Sequence, residues 1–157
     1  MKRAGVVLIL LLAFGGIADA AYLAQHEASG EPLLCNIEYL SGCNTVAQSP
    51  YSHLFGIPLA EYGILFYGVI FVLAALELVV FDRLLRRLLQ GAALLGVLAS
   101  LVFTLIQIFL IGALCVYCLA SALITLLIFT FASMLEPLRP RRTHAQSRAP
   151  LSMPPVA

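Results

Sequence analysis

Residues 88–135 read LLQGAALLGVLASLVFTLIQIFLIGALCVYCLASALITLLIFTFASML and contain no Asp, Glu, Lys or Arg. A helix needs about 20 apolar residues to cross the hydrocarbon core of a bilayer. The stretch therefore predicts two membrane-spanning helices, at about residues 88–111 and 114–135, with a short turn between them. Two cysteines, Cys115 and Cys118, follow that turn directly.

Two further apolar stretches, at about residues 4–24 and 57–81, are also long enough to cross a bilayer. The chain is 62% hydrophobic and 11% charged, whereas about one quarter of the residues in soluble domains are charged. The sequence therefore predicts an all-α membrane protein, a bundle of four transmembrane helices with a long loop between helices 1 and 2. We expect the membrane domain to cover residues 1–136 and the Pro- and Arg-rich residues 137–157 to form a disordered cytoplasmic tail.

The basic residues are confined to three places: before the first span, between the second and third, and after the fourth. The loop at residues 25–56 and the turn at residues 112–113 contain none of them. Because basic residues favour the cytoplasmic side, we expect both termini in the cytoplasm and the loop outside, in the inner membrane of a bacterium. The basic residues are Lys2, Arg3, Arg83, Arg86, Arg87, Arg139, Arg141, Arg142 and Arg148.

The sequence Ala18-Asp19-Ala20 near the end of the first span leaves one alternative open. With Lys2 and Arg3 before an apolar run, it is similar to the cleavage site of a secretory signal peptide. Cleavage would not change the sidedness of the other spans. We favour a retained first helix, because three helices would offer less surface to enclose a cofactor.

This topology places all four cysteines at one side of the membrane, Cys35 and Cys43 in the loop and Cys115 and Cys118 at the start of the fourth span. Disulfide exchange requires a thiolate to reach a disulfide sulfur directly. A C-x-x-C pair in the first turn of a helix favours a thiolate and brings both sulfurs to one face. Cys118 lies one turn deeper, which suits a lipid-soluble oxidant. We therefore interpret the four cysteines as catalytic, in two redox pairs.

Other roles for these cysteines remain open. Cys35 and Cys43 could form a static structural disulfide, and cysteines in membrane helices often act as small apolar side chains. A metal site is disfavoured, because seven residues between two cysteines is not a usual zinc spacing. Haem attachment needs a histidine directly after the second cysteine, where Leu119 stands.

The chain resembles the vitamin K epoxide reductase family, including its bacterial disulfide-forming members. The resemblance covers about residues 6–135. Its motifs are Cys35 and Cys43 with seven residues between them, Ser49, Phe55-Gly56-Ile57-Pro58, Gly63, Phe66-Tyr67 and Cys115-Val116-Tyr117-Cys118. It implies a four-helix bundle around a quinone (ubiquinone or menaquinone), with a cysteine relay above it.

In that relay, Cys35 would meet the partner protein, Cys43 would exchange with Cys115, and Cys118 would reduce the quinone. Many bacterial members carry a fused thioredoxin-like domain. This chain has none, so we expect a separate thioredoxin-like partner, membrane lipid around the bundle, and no nucleic acid. The resemblance implies that the protein supports disulfide formation.

Two departures from the family bear on this expectation. Ala122 stands where animal members have a tyrosine, and residues 58–61 lack an asparagine that commonly binds the quinone. The alternatives are a quinone or quinone-epoxide reductase that uses thiols as reductant, and a non-enzymatic four-helix scaffold with structural disulfides.

Helix depth suggests which polar residues could bind a quinone. Gln107, Glu61, Tyr62 and Tyr117 each lie about one turn in from the side that carries the cysteines. Polar groups within a membrane usually face the bundle interior and often mark function. We predict Gln107 first and Glu61 or Tyr62 next as donors to a quinone carbonyl, with Glu61 protonated.

Overall fold

A computed structural model describes residues 2–33, 42–80 and 82–135. Within them, four helices are long and apolar enough to cross a membrane, which fits a multi-pass membrane protein. In chain order the elements are α1 (Lys2–Ser29), α2 (Cys43–Ala47), β1 (His53–Leu54), β2 (Ile57–Pro58), α3 (Leu59–Val80), α4 (Arg83–Ile106), a π-helical turn (Gln107–Ile111) and α5 (Val116–Leu135). The predicted four-helix fold is confirmed.

The four long helices form a closed bundle in which α1 packs against α3 and α5, and α4 packs against the same two helices. The connection between α3 and α4 and that between the π-helical turn and α5 are both short, so these neighbours run antiparallel. We call the end where α1 ends and α5 begins the cysteine end, and the other the opposite end. Cys43, Cys115 and Cys118 all belong to the cysteine end.

Two helices begin or end several residues away from the predicted bounds. α1 continues to Ser29 instead of ending near residue 24, and α4 begins at Arg83 instead of residue 88. The side chain of Asp82 accepts a hydrogen bond from the N–H of Leu84 at 3.2 Å and so caps the start of α4. A hydropathy criterion finds only the apolar part of a helix, and both extensions contain polar residues.

The main core lies toward the opposite end. Its largest fully buried side chains include Tyr67 and Ile70 of α3, Leu89 of α4 and Ile128 of α5. The ring of Tyr67 packs directly on Gly16 of α1, where a Cβ atom would overlap it. This glycine therefore lets α1 and α3 approach closely.

A short antiparallel hairpin that the sequence analysis did not predict precedes α3. His53 pairs with Pro58 and Leu54 with Ile57. Phe55 and Gly56 form its turn with φ angles of 55° and 81°, as a two-residue hairpin turn of the primed type requires. The hairpin contacts α1 at the cysteine end, where His53 Nε2 lies 3.4 Å from Glu27 Oε1.

Two buried polar side chains at the opposite end bond to neighbouring helices, although Glu77 Oε2 has no hydrogen-bond partner among the described residues. Glu77 Oε1 and Arg86 Nε form an ion pair at 2.5 Å that connects the end of α3 with the start of α4. Gln90 donates a hydrogen bond to the backbone carbonyl of Ala132 at 3.0 Å and joins α4 to α5. Glu77 and Gln90 are buried, so these contacts fix the helices at this end.

Candidate redox site

Cys115 is the residue directly before α5, and not, as the sequence predicted, within its first turn. Its carbonyl accepts the hydrogen bond of Leu119 N–H at 3.1 Å, and its sulfur accepts from Cys118 N–H at 3.5 Å. This is the position of an N-cap residue, whose side chain accepts from one of the free N–H groups of a helix start. The chain bends before the helix because Gly112 has a left-handed backbone with φ of 69°.

The environment of Cys115 stabilises a thiolate. The pKa of its thiol is lowered to about 7, mainly because the thiol of Cys118 donates a hydrogen bond to its sulfur. The backbone N–H groups of Cys118 and Tyr117 act in the same direction, whereas burial and the negative charge of Asp19 raise the pKa. Cys115 and Cys118 are both free thiols. At neutral pH Cys115 is therefore the more nucleophilic candidate of this pair.

Gln107 fixes the turn that leads to Cys115. Its side-chain oxygen accepts a hydrogen bond from Cys115 N–H at 3.1 Å, and its carbonyl accepts from Ala113 N–H at 3.2 Å. Its side chain also hydrogen-bonds that of Cys118. Gln107 lies in the π-helical turn, an irregularity that is frequent at functional sites. This residue thus joins the end of one helix to the cysteine pair of the next.

Cys43, the first residue of α2, is fully buried and disulfide-bonded. It belongs with Cys115 and Leu33 to one packed cluster. Gly42 makes this approach possible, because a Cβ atom there would lie 2.7 Å from the Cβ of Ala113 and 2.9 Å from the carbonyl oxygen of Leu114. The structure thus brings Cys43 to Cys115. The predicted first member of the relay, Cys35, lies outside the described residues.

Asn44 holds the other side of the cysteine loop. Its side-chain oxygen accepts from Leu33 N–H at 2.8 Å, and its amide nitrogen donates to the Leu33 carbonyl at 3.5 Å. The amide group thereby pairs with both backbone groups of one residue. Ser49, which the resemblance singled out, donates to the carbonyl of Val46 at 2.7 Å and closes the turn after α2.

A cavity of about 590 Å³ lies among the helices and is lined by all three described cysteines. Its volume falls within the ~300–1,000 Å³ range of small-molecule sites. Most of its lining is apolar, including Leu23, Phe66 and Phe103. The polar residues of its lining are Asp19, Glu27, Ser49, Tyr51, Ser52, Tyr62, Tyr67, Ser100, Thr104, Gln107, Ser121 and Thr125.

Two of the four predicted quinone-binding residues line this cavity and two do not. Gln107 is buried at its wall, and Tyr62 lies at its edge, where the phenol donates to the Leu54 carbonyl at 3.2 Å. Glu61 is exposed and is not part of the lining. The ring of Tyr117 packs against that of Tyr22, with centroids 5.1 Å apart, and is not part of the lining either.

Two polar features of the cavity were missed by the sequence analysis as site residues. Tyr67 forms hydrogen bonds with Ser121 Oγ at 2.7 Å and Thr125 Oγ1 at 2.9 Å, and so joins α3 to α5. Asp19 of α1 has a buried carboxylate oxygen with no hydrogen-bond partner among the described residues. The available signal was the isolated polar residue in an apolar span, which often marks function.

A flat, mostly apolar ring with hydrogen-bonding oxygens fits this donor set. The walls supply apolar contact, and the Gln107 amide group carries two N–H donors. The Cys118 thiol lies at the same cavity, so an electron acceptor bound there would be adjacent to a reduced sulfur. The residues present therefore fit a quinone head group.

The comparison with known proteins agrees with this geometry. The family model described as "Vitamin K epoxide reductase family" matches residues 7–133, which is most of the chain. No curated protein matches the sequence. The family match includes Cys43, the cavity-forming parts of all four long helices and the Cys115–Cys118 pair. The chain therefore belongs to the vitamin K epoxide reductase family.

Proposed function

We propose that this protein is a thiol–disulfide oxidoreductase that takes electrons from a separate thioredoxin-like partner and passes them to a quinone. Electrons would enter at the Cys35–Cys43 pair, move to Cys115–Cys118, and leave from there. Membership of the family makes the chain a membrane oxidoreductase, and the family is generally quinone-linked. The distribution of basic residues supports an orientation with the cysteine end outside, and we place the protein in the inner membrane of a bacterium.

One observation carries this proposal: buried Cys43 and buried Cys115 share a packed cluster directly beside an apolar cavity that Cys118 also lines. Sulfur atoms must approach each other directly for exchange. The cluster supplies that proximity between the pairs, and the cavity supplies room for an acceptor beside the second pair.

The exchange steps follow from this arrangement. A partner thiolate attacks the Cys35–Cys43 disulfide at Cys35, which releases Cys43, and the partner's second thiol then frees Cys35 and leaves with its own disulfide. Cys43 attacks Cys115 in the Cys115–Cys118 disulfide and releases Cys118. Cys35 then attacks Cys43, which re-forms the first disulfide and leaves Cys115 reduced. Each step exchanges one S–S bond for another.

The Cys115–Cys118 dithiol then returns to a disulfide by losing two electrons. The bound quinone supplies the two-electron acceptor for this step. Cys118 donates its hydrogen bond to the Cys115 sulfur and holds the two sulfur atoms together. Gln107 keeps Cys115 in place through its backbone N–H. The apolar walls limit access of water to the reacting sulfurs.

The proposal is tested with purified full-length protein, a reduced thioredoxin-like protein and a water-soluble quinone. We expect thiol-dependent quinone reduction, and we expect Cys43→Ser, Cys115→Ser and Cys118→Ser each to reduce it to background. Ser133→Ala, which removes a side-chain hydrogen bond near the end of α5, is the control and should keep full activity. A Cys118→Ser protein that passes electrons from partner to quinone at the normal rate would contradict the relay.

Alkylation of trapped protein separates the relay from a static scaffold. Partner thiols should convert Cys115 and Cys118 to the alkylatable form, and added quinone should return them to the disulfide. Disulfides that keep one state under both treatments would show a structural role and refute the proposal. If the protein reduces quinone rapidly but oxidises no protein partner in cells, its function is quinone reduction and not disulfide formation.

A further inference from the structure

A carboxyl group that the relay does not use lines the same cavity. Asp19 lies within the apolar span of α1, and one of its oxygens is buried without a hydrogen-bond partner among the described residues. Glu27 also lines the cavity, but its Oε1 lies 3.4 Å from Nε2 of His53, a side chain that can carry a positive charge. Asp19 is thus a carboxyl group of the cavity lining with no basic side chain in an ion pair with it among the described residues.

Helix packing fixes the level of Asp19 in the bundle. Gly16, three residues before Asp19, contacts the ring of Tyr67 of α3. Ala20, the residue after Asp19, packs closely against Gly63 of α3. Asp19 is therefore held at the level of the α3 segment that forms the cavity wall. Tyr67 of α3, Cys115 before α5 and Cys118 of α5 line the same cavity as Asp19.

The stoichiometry of quinone reduction requires a proton that the cysteine pair lacks. A dithiol with Cys115 as thiolate and Cys118 as thiol carries two electrons but only one proton. A hydroquinone contains two protons more than the quinone. Asp19 and Glu27 are the carboxyl groups among the described residues of the cavity lining, and Glu27 lies beside His53.

On the basis of the proposed function, we propose that Asp19 donates the second proton of quinone reduction. In this step an S–S bond forms between Cys115 and Cys118, while the S–H bond of Cys118 and the O–H bond of Asp19 break. Two electrons pass from the sulfurs to the quinone, and both protons form O–H bonds of the hydroquinone. Asp19 is left as a carboxylate and is reprotonated from water before the next cycle.

The electrostatics of the cavity couples the two acids. Asp19 and Cys115 line the same cavity, and a negative charge on either group disfavours a negative charge on the other. When the disulfide forms, the negative charge of the Cys115 thiolate disappears, so a negatively charged Asp19 is less unfavourable. In the proposed cycle Asp19 carries its proton while Cys115 is a thiolate and releases it when the disulfide forms.

The test compares Asp19→Asn with Asp82→Asn in full-length protein in lipid nanodiscs. The control makes the same chemical change at the cap of α4, at the opposite end, where asparagine is an equally good cap. Without quinone, the infrared difference spectrum between dithiol and disulfide forms should contain a carboxylic acid band. The band should vanish in Asp19→Asn and persist in Asp82→Asn. A band that persists in Asp19→Asn would overturn the inference.

Kinetics with quinone provides the second measurement. Removing a general acid should lower kcat for quinone reduction by about 10²-fold with KM for quinone unchanged. Formate is a small acid relative to the cavity volume of about 590 Å³, so it should restore part of the rate, and Asp19→Glu should retain part of it. An unchanged kcat in Asp19→Asn would overturn the inference while leaving the relay intact, whereas an inactive wild type would refute the proposed function itself.

If Asp19→Asn fails to fold, Asp19→Glu alone still decides the question. Its carboxyl group is displaced by one methylene, so its infrared band should shift in frequency while the band remains. A spectrum identical to that of the wild type would contradict the assignment to Asp19.

Discussion

The two ends of the bundle use polar groups in different ways. At the opposite end, the buried Glu77 and Gln90 are paired with Arg86 and with the carbonyl of Ala132. At the cysteine end, polar groups surround a cavity of about 590 Å³. Each end also has buried carboxylate oxygens without a hydrogen-bond partner among the described residues, on Asp19 and Glu27 at the cysteine end and on Glu77 at the opposite end. The comparison indicates that the opposite end provides stability, whereas the cysteine end keeps space and reactive groups for chemistry.

The largest expected effect on stability is at the opposite end. Glu77→Ala leaves the largely buried Arg86 without its carboxylate, so we expect the free energy of unfolding to fall by about 3 kcal/mol. Activity per folded molecule should stay unchanged, because the cavity is remote. Unfolding by denaturant in mixed micelles measures the free energy of unfolding, and a quinone-reduction assay measures the activity per folded molecule. Glu31→Ala, which changes an exposed glutamate, is the control. An equal loss of unfolding free energy in both variants would contradict a stabilising role of the ion pair at the opposite end.

A smaller effect, on rate, is expected at the cysteine end. In Gly42→Ala the new methyl group would meet Ala113 and Leu114, which displaces Cys43 from Cys115. Overpacking of this kind costs about 1–3 kcal/mol, which corresponds to roughly 5- to 150-fold slower exchange if the transition state bears it. Rapid-quench alkylation after partner addition measures this exchange.

Gly15→Ala is the matched control for this substitution, because a Cβ atom at Gly15 meets no atom within 4 Å. Alanine also has the higher helix propensity, so this variant should be at least as stable as the wild type and exchange at the normal rate. Normal exchange in Gly42→Ala would show that the close contact at Gly42 is not needed for the relay.

The smallest effect concerns one titration. In reduced wild-type protein, thiolate absorbance of Cys115 should rise with pH around a midpoint of about 7, since its pKa is lowered from the usual range. Cys118→Ala removes the main hydrogen-bond donor, so the midpoint should move to higher pH and less thiolate should exist at neutral pH. Ser133→Ala should keep the wild-type midpoint. An unmoved midpoint in Cys118→Ala would contradict the hydrogen bond as its cause.

The sequence was sufficient to predict the four spans, because each consists of a long apolar run that only a membrane helix explains. It was insufficient for the cavity lining. Apolar residues occur on all faces of these helices, so hydropathy does not tell which face points inward. Contacts such as Gly16 on Tyr67 determine that orientation, and they place Asp19 at the cavity and Glu61 outside its lining.

The cysteine pairs were predictable from spacing, but their local geometry was not. The C-x-x-C motif indicates a helix start, yet the position of Cys115 before the helix depends on the side chain of Gln107, eight residues earlier. The hairpin at residues 53–58 was also missed. Its turn needs a positive φ at Phe55, a conformation that this residue type rarely adopts.

Burial of Cys43 and Cys115, at 0% and 1% exposure, has a consequence for selectivity. A molecule as large as glutathione cannot contact these sulfurs unless the surrounding side chains move first. The reduced cysteines are therefore protected from oxidation by molecules other than the intended acceptor. The rate of that side reaction measures how often the cluster of Cys43 and Cys115 opens.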